Sequence, residues 1–64
     1  MDFDSAKRVF EEYLDGYDRE NDKVRLKIVH TYGVAAQSTA IAERMRLSAE
    51  DRELAQIIAL LHDI

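Results

Sequence analysis

The sequence predicts an all-α protein of three helices. It contains no proline and only two glycines, so few residues interrupt regular structure. Alanine, leucine, glutamate, arginine and lysine are frequent, and these residues have high helix propensities. Apolar residues recur at steps of three and four, and the strict alternation typical of β-strands is not found. Helices joined by short polar connectors therefore account for the chain.

The first predicted helix begins near Asp4 or Ser5, both of which are good N-cap residues. An apolar stripe follows at helical spacing, as expected for a helix with one buried face. The helix should fray near Gly16, and the charged segment 18–22 should connect it to the next helix, so that residues 1–22 form a lead-in. The stripe consists of Val9, Phe10, Tyr13, Leu14 and Tyr17.

The second predicted helix spans about residues 23–46, with Asn21 or Asp22 as its N-cap. Its apolar side chains cluster on one side of a helical wheel, and His30 lies at the edge of that cluster. Gly33 costs about 1 kcal/mol relative to alanine inside a helix. It indicates either close approach of another backbone or a ligand, or a tolerated defect. The cluster consists of Val24, Ile28, Thr31, Ala35, Ala42 and Met45, with Val34 and Ile41 beside it.

The third predicted helix runs from Ala49 to the end of the chain. Ser48 followed by Asp51 is a variant of the capping box, with aspartate in place of glutamate. Apolar residues cover most of the circumference of this helix, so it should be buried on several sides. The two other helices cannot easily supply that burial. The residues concerned are Leu54, Ala55, Ile57, Ile58, Ala59, Leu60 and Leu61.

The net charge of −4 is unevenly distributed along the chain. Residues 1–22 carry −5, residues 23–46 carry +4 and residues 47–64 carry −3. The basic middle either favours an anionic ligand or forms ordinary solvated helix faces. A helix-turn-helix within residues 41–61 is a further alternative, but its second helix is acidic and then apolar. It offers few groups to phosphates or base edges, so DNA binding is not favoured.

The composition also bears on the compartment. There is no cysteine, which excludes disulfides and thiolate metal sites. No apolar run approaches the roughly 20 residues that cross a bilayer, so no membrane partner is expected. The N-terminus lacks the basic start and apolar stretch of a signal peptide. We therefore expect a cytoplasmic protein.

The only two histidines carry the candidate chemistry. His62 and Asp63 follow the apolar run of the third helix. Adjacent helical residues point about 100° apart, so His62 should border the buried face and Asp63 should lean towards the polar side. One cation could lie between them, with His30 as a third ligand. The alternative is that each histidine is simply hydrogen-bonded at a helix interface.

Three stretches resemble the HD-domain superfamily of metal-dependent phosphohydrolases: residues 27–34, 41–42 and 54–64. The signature of that superfamily is a lone histidine on one helix, a His-Asp doublet closing a later apolar helix, and a distant aspartate. The ending ALLHDI, with a histidine some thirty residues upstream, is a fairly specific combination. The similarity covers about residues 23–64, and the lead-in helix is of a kind that some bacterial members carry.

The resemblance implies an all-α fold of five or more helices around one or two divalent cations (Mn, Fe, Ni, Co, Mg or Zn). His30, His62 and Asp63 would be metal ligands, and Asp63 would be the catalytic carboxylate, able to bridge two metals. The implied activity is hydrolysis of phosphate mono- or diesters in a phosphorylated small molecule or nucleotide. Lys27, one turn before His30, either faces a substrate phosphate or is a surface lysine.

The departure from the family pattern is large, because the distant aspartate and the later helices are absent from residues 1–64. We therefore expect the front part of an HD-type fold that binds metal weakly and is inactive by itself. The alternative function is a helical interaction module without catalysis. Copies would then self-associate through the third helix and bury Leu54, Ile57, Ile58 and Leu61.

Overall fold

The computed structural model describes all residues, 1–64, and consists of three helices. Helix α1 spans Phe3–Leu14, α2 spans Asp22–Arg44 and α3 spans Ala49–Leu61. There is no β-strand, so the all-α prediction is confirmed. None of the three helices combines the length and the hydropathy that crossing a bilayer requires.

Helix α1 begins earlier than predicted. The Asp2 carboxylate accepts a hydrogen bond of 2.8 Å from the backbone N–H of Ser5, so Asp2 is the N-cap and Phe3 is the first helical residue. The prediction of Asp4 or Ser5 as the cap was wrong because Asp2 already satisfies a free amide of the first turn. This hydrogen bond lowers the pKa of the Asp2 carboxyl. The helix ends at Leu14, just before the predicted fraying point.

Two predicted caps are confirmed. The Asn21 side chain accepts hydrogen bonds from the backbone N–H groups at the start of α2, that of Lys23 at 2.9 Å. The Ser48 hydroxyl accepts one of 3.1 Å from the N–H of Asp51 at the start of α3. Helix α3 was predicted to reach the end of the chain, but it ends at Leu61.

Helix α2 ends at Arg44, two residues earlier than predicted. The reason is a left-handed residue, Arg46, whose φ is 56°. The N–H of Leu47 donates to the carbonyl oxygen of Ala42 at 3.1 Å, and that of Arg46 to Glu43 at 3.0 Å. This pair of bonds is a Schellman motif, which usually has glycine at the left-handed position. Because this position holds arginine and not glycine, the sequence does not indicate where the helix ends.

Helix α3 is the central element, since it packs against both α1 and α2, whereas no Cα of α1 lies within 8 Å of a Cα of α2. Small side chains of α2, including Ala35 and Ala42, are buried, and small residues allow two helix axes to approach closely. Thr31 is also buried, and its hydroxyl has no hydrogen-bond partner. The main core cluster consists of Ala6, Phe10, Leu14, Ile57 and Leu60.

The predicted apolar faces are broader than the buried ones. Val9 of α1 is 39% exposed, and Tyr17, which follows α1, is 51% exposed, so their predicted places in the buried stripe were wrong. Helix α3 covers a narrow strip of α1 whose residues are spaced four apart, and Tyr32 of α2 adds an edge contact to Phe10. Met45 is 65% exposed because α2 ends just before it. A Cβ added at Gly33 would meet nothing within 4 Å, so this glycine is a tolerated defect.

A polar network connects α1, the connector and α2. The Tyr32 hydroxyl donates to the Glu11 carboxylate at 2.6 Å, and the Arg19 guanidinium donates to the same carboxylate at 2.7 Å. Burial and the hydrogen bond to Glu11 raise the pKa of Tyr32 to about 12. Hydrogen bonds from Tyr32 and Arg19 lower the pKa of Glu11. The network holds the end of α1 and the connector against α2.

Candidate metal centre

The His62-Asp63 doublet lies directly after α3. His62 is the C-cap residue, with φ −64° and ψ −22°, so its backbone keeps helical geometry. Its Nε2 atom lies 3.4 Å from an Oδ2 atom of Asp63. The two side chains are 40% and 43% exposed. The predicted contrast between a buried-edge histidine and a polar-side aspartate is therefore wrong, because both side chains lie at the exposed end of α3.

The hydrogen bonding of His62 fixes which of its nitrogens can bind a cation. Its Nδ1 atom contacts the carbonyl oxygen of Ala59. A carbonyl oxygen only accepts, so Nδ1 carries the hydrogen and the neutral ring has its lone pair on Nε2. Two acceptors, this Nε2 and the Asp63 carboxylate, then face each other at 3.4 Å. A metal cation between them is favourable for that reason.

The separation also suits a metal. Two ligands that each lie roughly 2.1 Å from one cation, at a tetrahedral angle, are about 3.4 Å apart. An imidazole nitrogen and a carboxylate oxygen are ligands that Mn, Fe, Co, Ni and Zn accept. The hydrogen bond of His62 to a backbone carbonyl is the usual support of a metal-binding histidine. The doublet therefore fits a divalent cation by chemistry and by spacing.

His30 lies close to this doublet in space although it comes from α2. It is exposed, and it lines a depression of about 450 Å³ together with Asp63. The helix α2 and the segment after α3 meet at this depression. The complete lining consists of Lys23, Leu26, Lys27, His30 and Asp63.

The structure brings one pair of the predicted ligands into contact, His62 and Asp63. His30 shares only the lining of the depression with Asp63. No group of three or more His, Cys, Asp or Glu side chains is close enough to hold a metal ion. His62 lines a separate groove of about 360 Å³ between α2 and α3. The ligand roles of these residues therefore stay predictions.

Lys27 lies beside the depression, as its position one turn before His30 suggested. Its ammonium group donates a hydrogen bond of 3.4 Å to the backbone carbonyl oxygen of Asp63. The contact joins α2 to the segment that carries the doublet. It also places a positive charge at the edge of the cavity that contains two predicted ligands. Contact with a phosphate stays a prediction.

Sequence reasoning missed part of this surface. Lys23 lines the same depression, and it precedes Lys27 by four residues and His30 by seven. Such spacing places the three on one helix face, which was a usable signal. A second cavity adjoins the first and contains Tyr13 and Tyr17 from the end of α1. Nothing in the sequence pairs those tyrosines with α2.

The comparison with protein families decides the assignment. The profile of the HD domain matches residues 28–64, which is more than half of the 64-residue chain. The chain belongs to the HD domain family. No curated protein and no solved structure matches it at a significant level. The matched range contains His30, His62 and Asp63, and the resemblance seen in the sequence is confirmed.

The HD domain family has a general chemistry, which is metal-dependent hydrolysis of phosphate esters. The family is helical, consists of metal-dependent phosphohydrolases and generally binds divalent metals. The match includes α3 and most of α2. It leaves out α1, the connector and the beginning of α2 through Lys27. The lysines and tyrosines beside the candidate centre therefore lie outside the part of the chain that the family describes.

Proposed function

We propose that this chain supplies metal ligands and part of the active-site surface of a phosphohydrolase that cleaves phosphate mono- or diesters. The observation that carries the proposal is the His62-Asp63 pair, with Nε2 and Oδ2 3.4 Å apart within the matched HD domain. His30 adds a third donor from across the depression that it shares with Asp63.

Each residue has a distinct role in this proposal. The Ala59 carbonyl orients His62 and keeps its Nε2 lone pair available. Asp63 is the ligand beside His62 and the catalytic carboxylate, and His30 completes the set from α2. When bound, a divalent cation of the Mn, Fe, Ni, Co, Mg or Zn type would supply a Lewis acid that activates water and neutralises phosphate charge.

Lys27 is the proposed substrate-binding residue. Its ammonium lies at the edge of the depression that contains His30 and Asp63. An ammonium is a compact, strongly hydrated charge that binds phosphate oxygens without demanding one orientation. We expect it to attract the phosphate of a small ester or nucleotide towards the ligands. We also expect weak metal binding by the chain alone, because the three donors are exposed and do not converge.

The test is thermal unfolding during titration with Mn²⁺, Ni²⁺ or Zn²⁺. Metal at ten times its Kd stabilises a protein by about 1.4 kcal/mol. For a domain of this size that raises the Tm by about 6–11 °C. The rise should disappear in His62→Ala and in Asp63→Asn, and it should shrink in His30→Ala.

A matched control is Glu53→Gln, which removes an exposed carboxylate of α3 away from the doublet. It should leave the metal-dependent rise unchanged. A rise that survives in His62→Ala, or no rise for any of the three metals, would contradict the proposed centre. Hydrolysis of bis(p-nitrophenyl) phosphate, measured on the same samples, tests the catalytic half of the proposal separately.

A second candidate function, a self-association module, rests on a different surface. At the end of α2 and on α3, four large apolar side chains are more than half exposed: Ile41, Met45, Leu54 and Ile58. Ile58 lines an apolar groove of about 360 Å³ between the two helices, and Ile41 and Met45 line another of about 200 Å³. Ile57, which was expected to belong to this surface, does not, because it is already buried against α1.

We infer that the partner for this surface is a second copy of the chain. Residues 23–46, which contain nearly all of α2, carry +4, and residues 47–64, which contain α3, carry −3. A twofold pairing can place α2 of one copy against α3 of the other, so that opposite charges meet at both edges of the apolar patch.

Sedimentation measured over a range of protein concentrations tests this second candidate. Ile58→Asp should abolish a dimer, and Val9→Asp should not, because Val9 is an exposed side chain of α1 on another part of the molecule. Added salt should weaken the dimer, since the charges at its edges are exposed. A strictly monomeric species at millimolar concentration would rule it out.

A further inference from the structure

A second cavity adjoins the candidate centre, between the end of α1 and the beginning of α2. Its volume is about 210 Å³ and most of its lining is apolar. Lys23 and Lys27 line both this cavity and the depression that contains His30 and Asp63. The complete lining consists of Tyr13, Leu14, Tyr17, Lys23, Val24 and Lys27. None of these six residues lies within the matched range 28–64.

The two tyrosines give this cavity an aromatic wall. Their ring centroids lie 5.3 Å apart at an interplanar angle of 52°, and their hydroxyl oxygens are 3.1 Å apart. Each ring therefore holds the other in place. Tyr17 follows α1 and is 51% exposed, so about half of its surface is available to a ligand. A planar ring can stack on such a side chain, because aromatic faces attract other π-systems.

The two lysines provide the charge for an anion. Neither has a carboxylate partner, since the ion pairs of the chain involve Arg19 and His62. They lie one turn apart on α2 and therefore on one face of it. The bond from Lys27 to the carbonyl oxygen of Asp63, at 3.4 Å, holds its ammonium at the boundary of the two cavities. A phosphate at that boundary would contact both lysines.

The volumes of the two cavities indicate which part of a ligand each could hold. A cavity of about 210 Å³ is smaller than the roughly 300–1,000 Å³ that encloses a drug-sized ligand. It suits one ring system and not a whole molecule. The adjoining depression, of about 450 Å³, leaves room for the charged remainder. An aromatic wall, two ammonium groups without a carboxylate partner and two candidate metal ligands then lie along one surface.

We propose that the Tyr13–Tyr17 cavity is a ring-binding subsite for a phosphate ester that carries an aromatic ring, of which nucleotides are the common biological class. The ring lies against the tyrosines, and the phosphate lies beside Lys23 and Lys27, directed towards His30 and Asp63. The choice of a phosphate ester rests on the proposed function, whereas the ring-binding step needs no metal.

The test is an NMR titration of the 64-residue chain with adenosine 5′-monophosphate, ribose 5-phosphate and adenosine, all in EDTA. The first two ligands carry the same phosphate, so any repulsion by Asp63 cancels in the ratio of their Kd values. We expect adenosine 5′-monophosphate to bind about tenfold more tightly than ribose 5-phosphate, because only it offers a base. We also expect it to bind about tenfold more tightly than adenosine, because only it offers a phosphate.

Variants locate the two contributions. Tyr17→Ala should reduce the affinity for adenosine 5′-monophosphate to that for ribose 5-phosphate, and Tyr17→Phe, which keeps the ring, should restore it. The double variant Lys23→Gln/Lys27→Gln should weaken adenosine 5′-monophosphate about tenfold and leave adenosine unchanged. Lys7→Gln, which removes an exposed lysine of α1 outside the cavity, should change nothing.

The outcomes separate this proposal from the metal centre. Equal affinities for adenosine 5′-monophosphate and ribose 5-phosphate, or no binding of the nucleotide at millimolar concentration, overturn the ring-binding subsite. Normal nucleotide binding by Tyr17→Ala overturns it as well, provided that its far-UV circular dichroism matches the parent chain. Because the titration contains EDTA, it succeeds or fails independently of the metal-dependent rise in Tm.

Discussion

The two sides of α3 carry the same kinds of side chain but meet different surroundings. On the side that faces α1, Leu60 is fully buried and Ile57 is 8% exposed. On another side of the same helix, Leu54 is 53% exposed and Ile58 is 59% exposed. The first pair contacts a core built by α1. The second pair is outside that core, and Ile58 borders an open groove beside α2.

This difference arises from the neighbouring helices and not from α3. Helix α1 presents Phe10 and Leu14, large side chains that fill the space against α3. Helix α2 meets α3 through small buried residues, including Ala35 and Ala42. Small residues let two backbones approach closely but leave the flanks of the contact uncovered. We call the side of α3 with Ile57 and Leu60 the closed side, and the side with Leu54 and Ile58 the open side. The closed side therefore sets the stability of the chain, and the open side is available for partners.

The largest expected effect compares one substitution on the two sides of α3. Leu60→Ala should lower the free energy of unfolding by about 2–5 kcal/mol, because it creates a cavity in the core. Leu54→Ala should change it by no more than about 0.5 kcal/mol in the monomer. Urea unfolding followed by circular dichroism at low protein concentration measures both.

Protein concentration sharpens that comparison. If the open side binds a second copy, Leu54→Ala should also become destabilising when the protein is concentrated, because unfolding then breaks the dimer. A large loss for Leu54→Ala in dilute monomer would contradict the division into a closed and an open side. So would a small loss for Leu60→Ala.

The next effect concerns the polar edge of the closed side. Tyr32→Phe removes the 2.6 Å hydrogen bond to the Glu11 carboxylate but keeps the ring, whose centroid lies 5.6 Å from that of Phe10. The loss should be about 1 kcal/mol at neutral pH, near the middle of the range for such bonds. Tyr17→Phe is the matched control and should lose less, because its hydroxyl is exposed.

The loss caused by Tyr32→Phe should depend on pH in a defined direction. The folded pKa of Glu11 is lowered from 4.5, so its stabilising effect is present above 4.5 and is lost as the pH falls through the lowered pKa. The pKa of Tyr32 is raised from 10.0 to about 12, so its contribution is present below 10 and is lost between 10 and 12. Urea unfolding at several pH values should show the parent and Tyr32→Phe converging at both extremes. A constant difference would contradict the network.

An effect of similar size, but a gain, tests the exposed face of α2 at Gly33. Gly33→Ala should raise the free energy of unfolding by about 1 kcal/mol, because alanine has the higher helix propensity and meets nothing within 4 Å. Gly16→Ala is the control, since Gly16 lies outside the helices and should show little of this gain. A destabilised Gly33→Ala would show that another group occupies the space beside α2.

The three helices and the caps at Asn21 and Ser48 were predicted from the sequence. The His62-Asp63 doublet was recognised by its motif. It did not predict which apolar residues are covered, because Leu54 and Leu60 look alike until the neighbouring helices are in place. The exposed Tyr17 was assigned to the core for the same reason.

The candidate centre was predictable to a similar degree. Motif and spacing selected His30, His62 and Asp63; the structure has Asp63 beside His62, and His30 and Asp63 line one depression. The tyrosine cavity was not predictable, since it exists only because the connector turns α1 back against α2. The Tyr32–Glu11 hydrogen bond that holds this turn joins residues 21 positions apart, and no local sequence pattern predicts it.

The smallest effect is at the end of α2, where one residue type should act in opposite directions at two nearby positions. Arg46 has a φ of 56°, which costs an L-residue roughly 1–2 kcal/mol. Arg46→Gly removes that cost but adds about 0.5–1 kcal/mol of unfolded-state freedom. The net gain should be about 0.5 kcal/mol. Arg44→Gly should instead lose stability, because Arg44 is the last helical residue and its backbone is right-handed. If both variants lose stability equally in urea unfolding, the Schellman ending is wrong, and α2 continues towards Arg46 as its sequence pattern suggested.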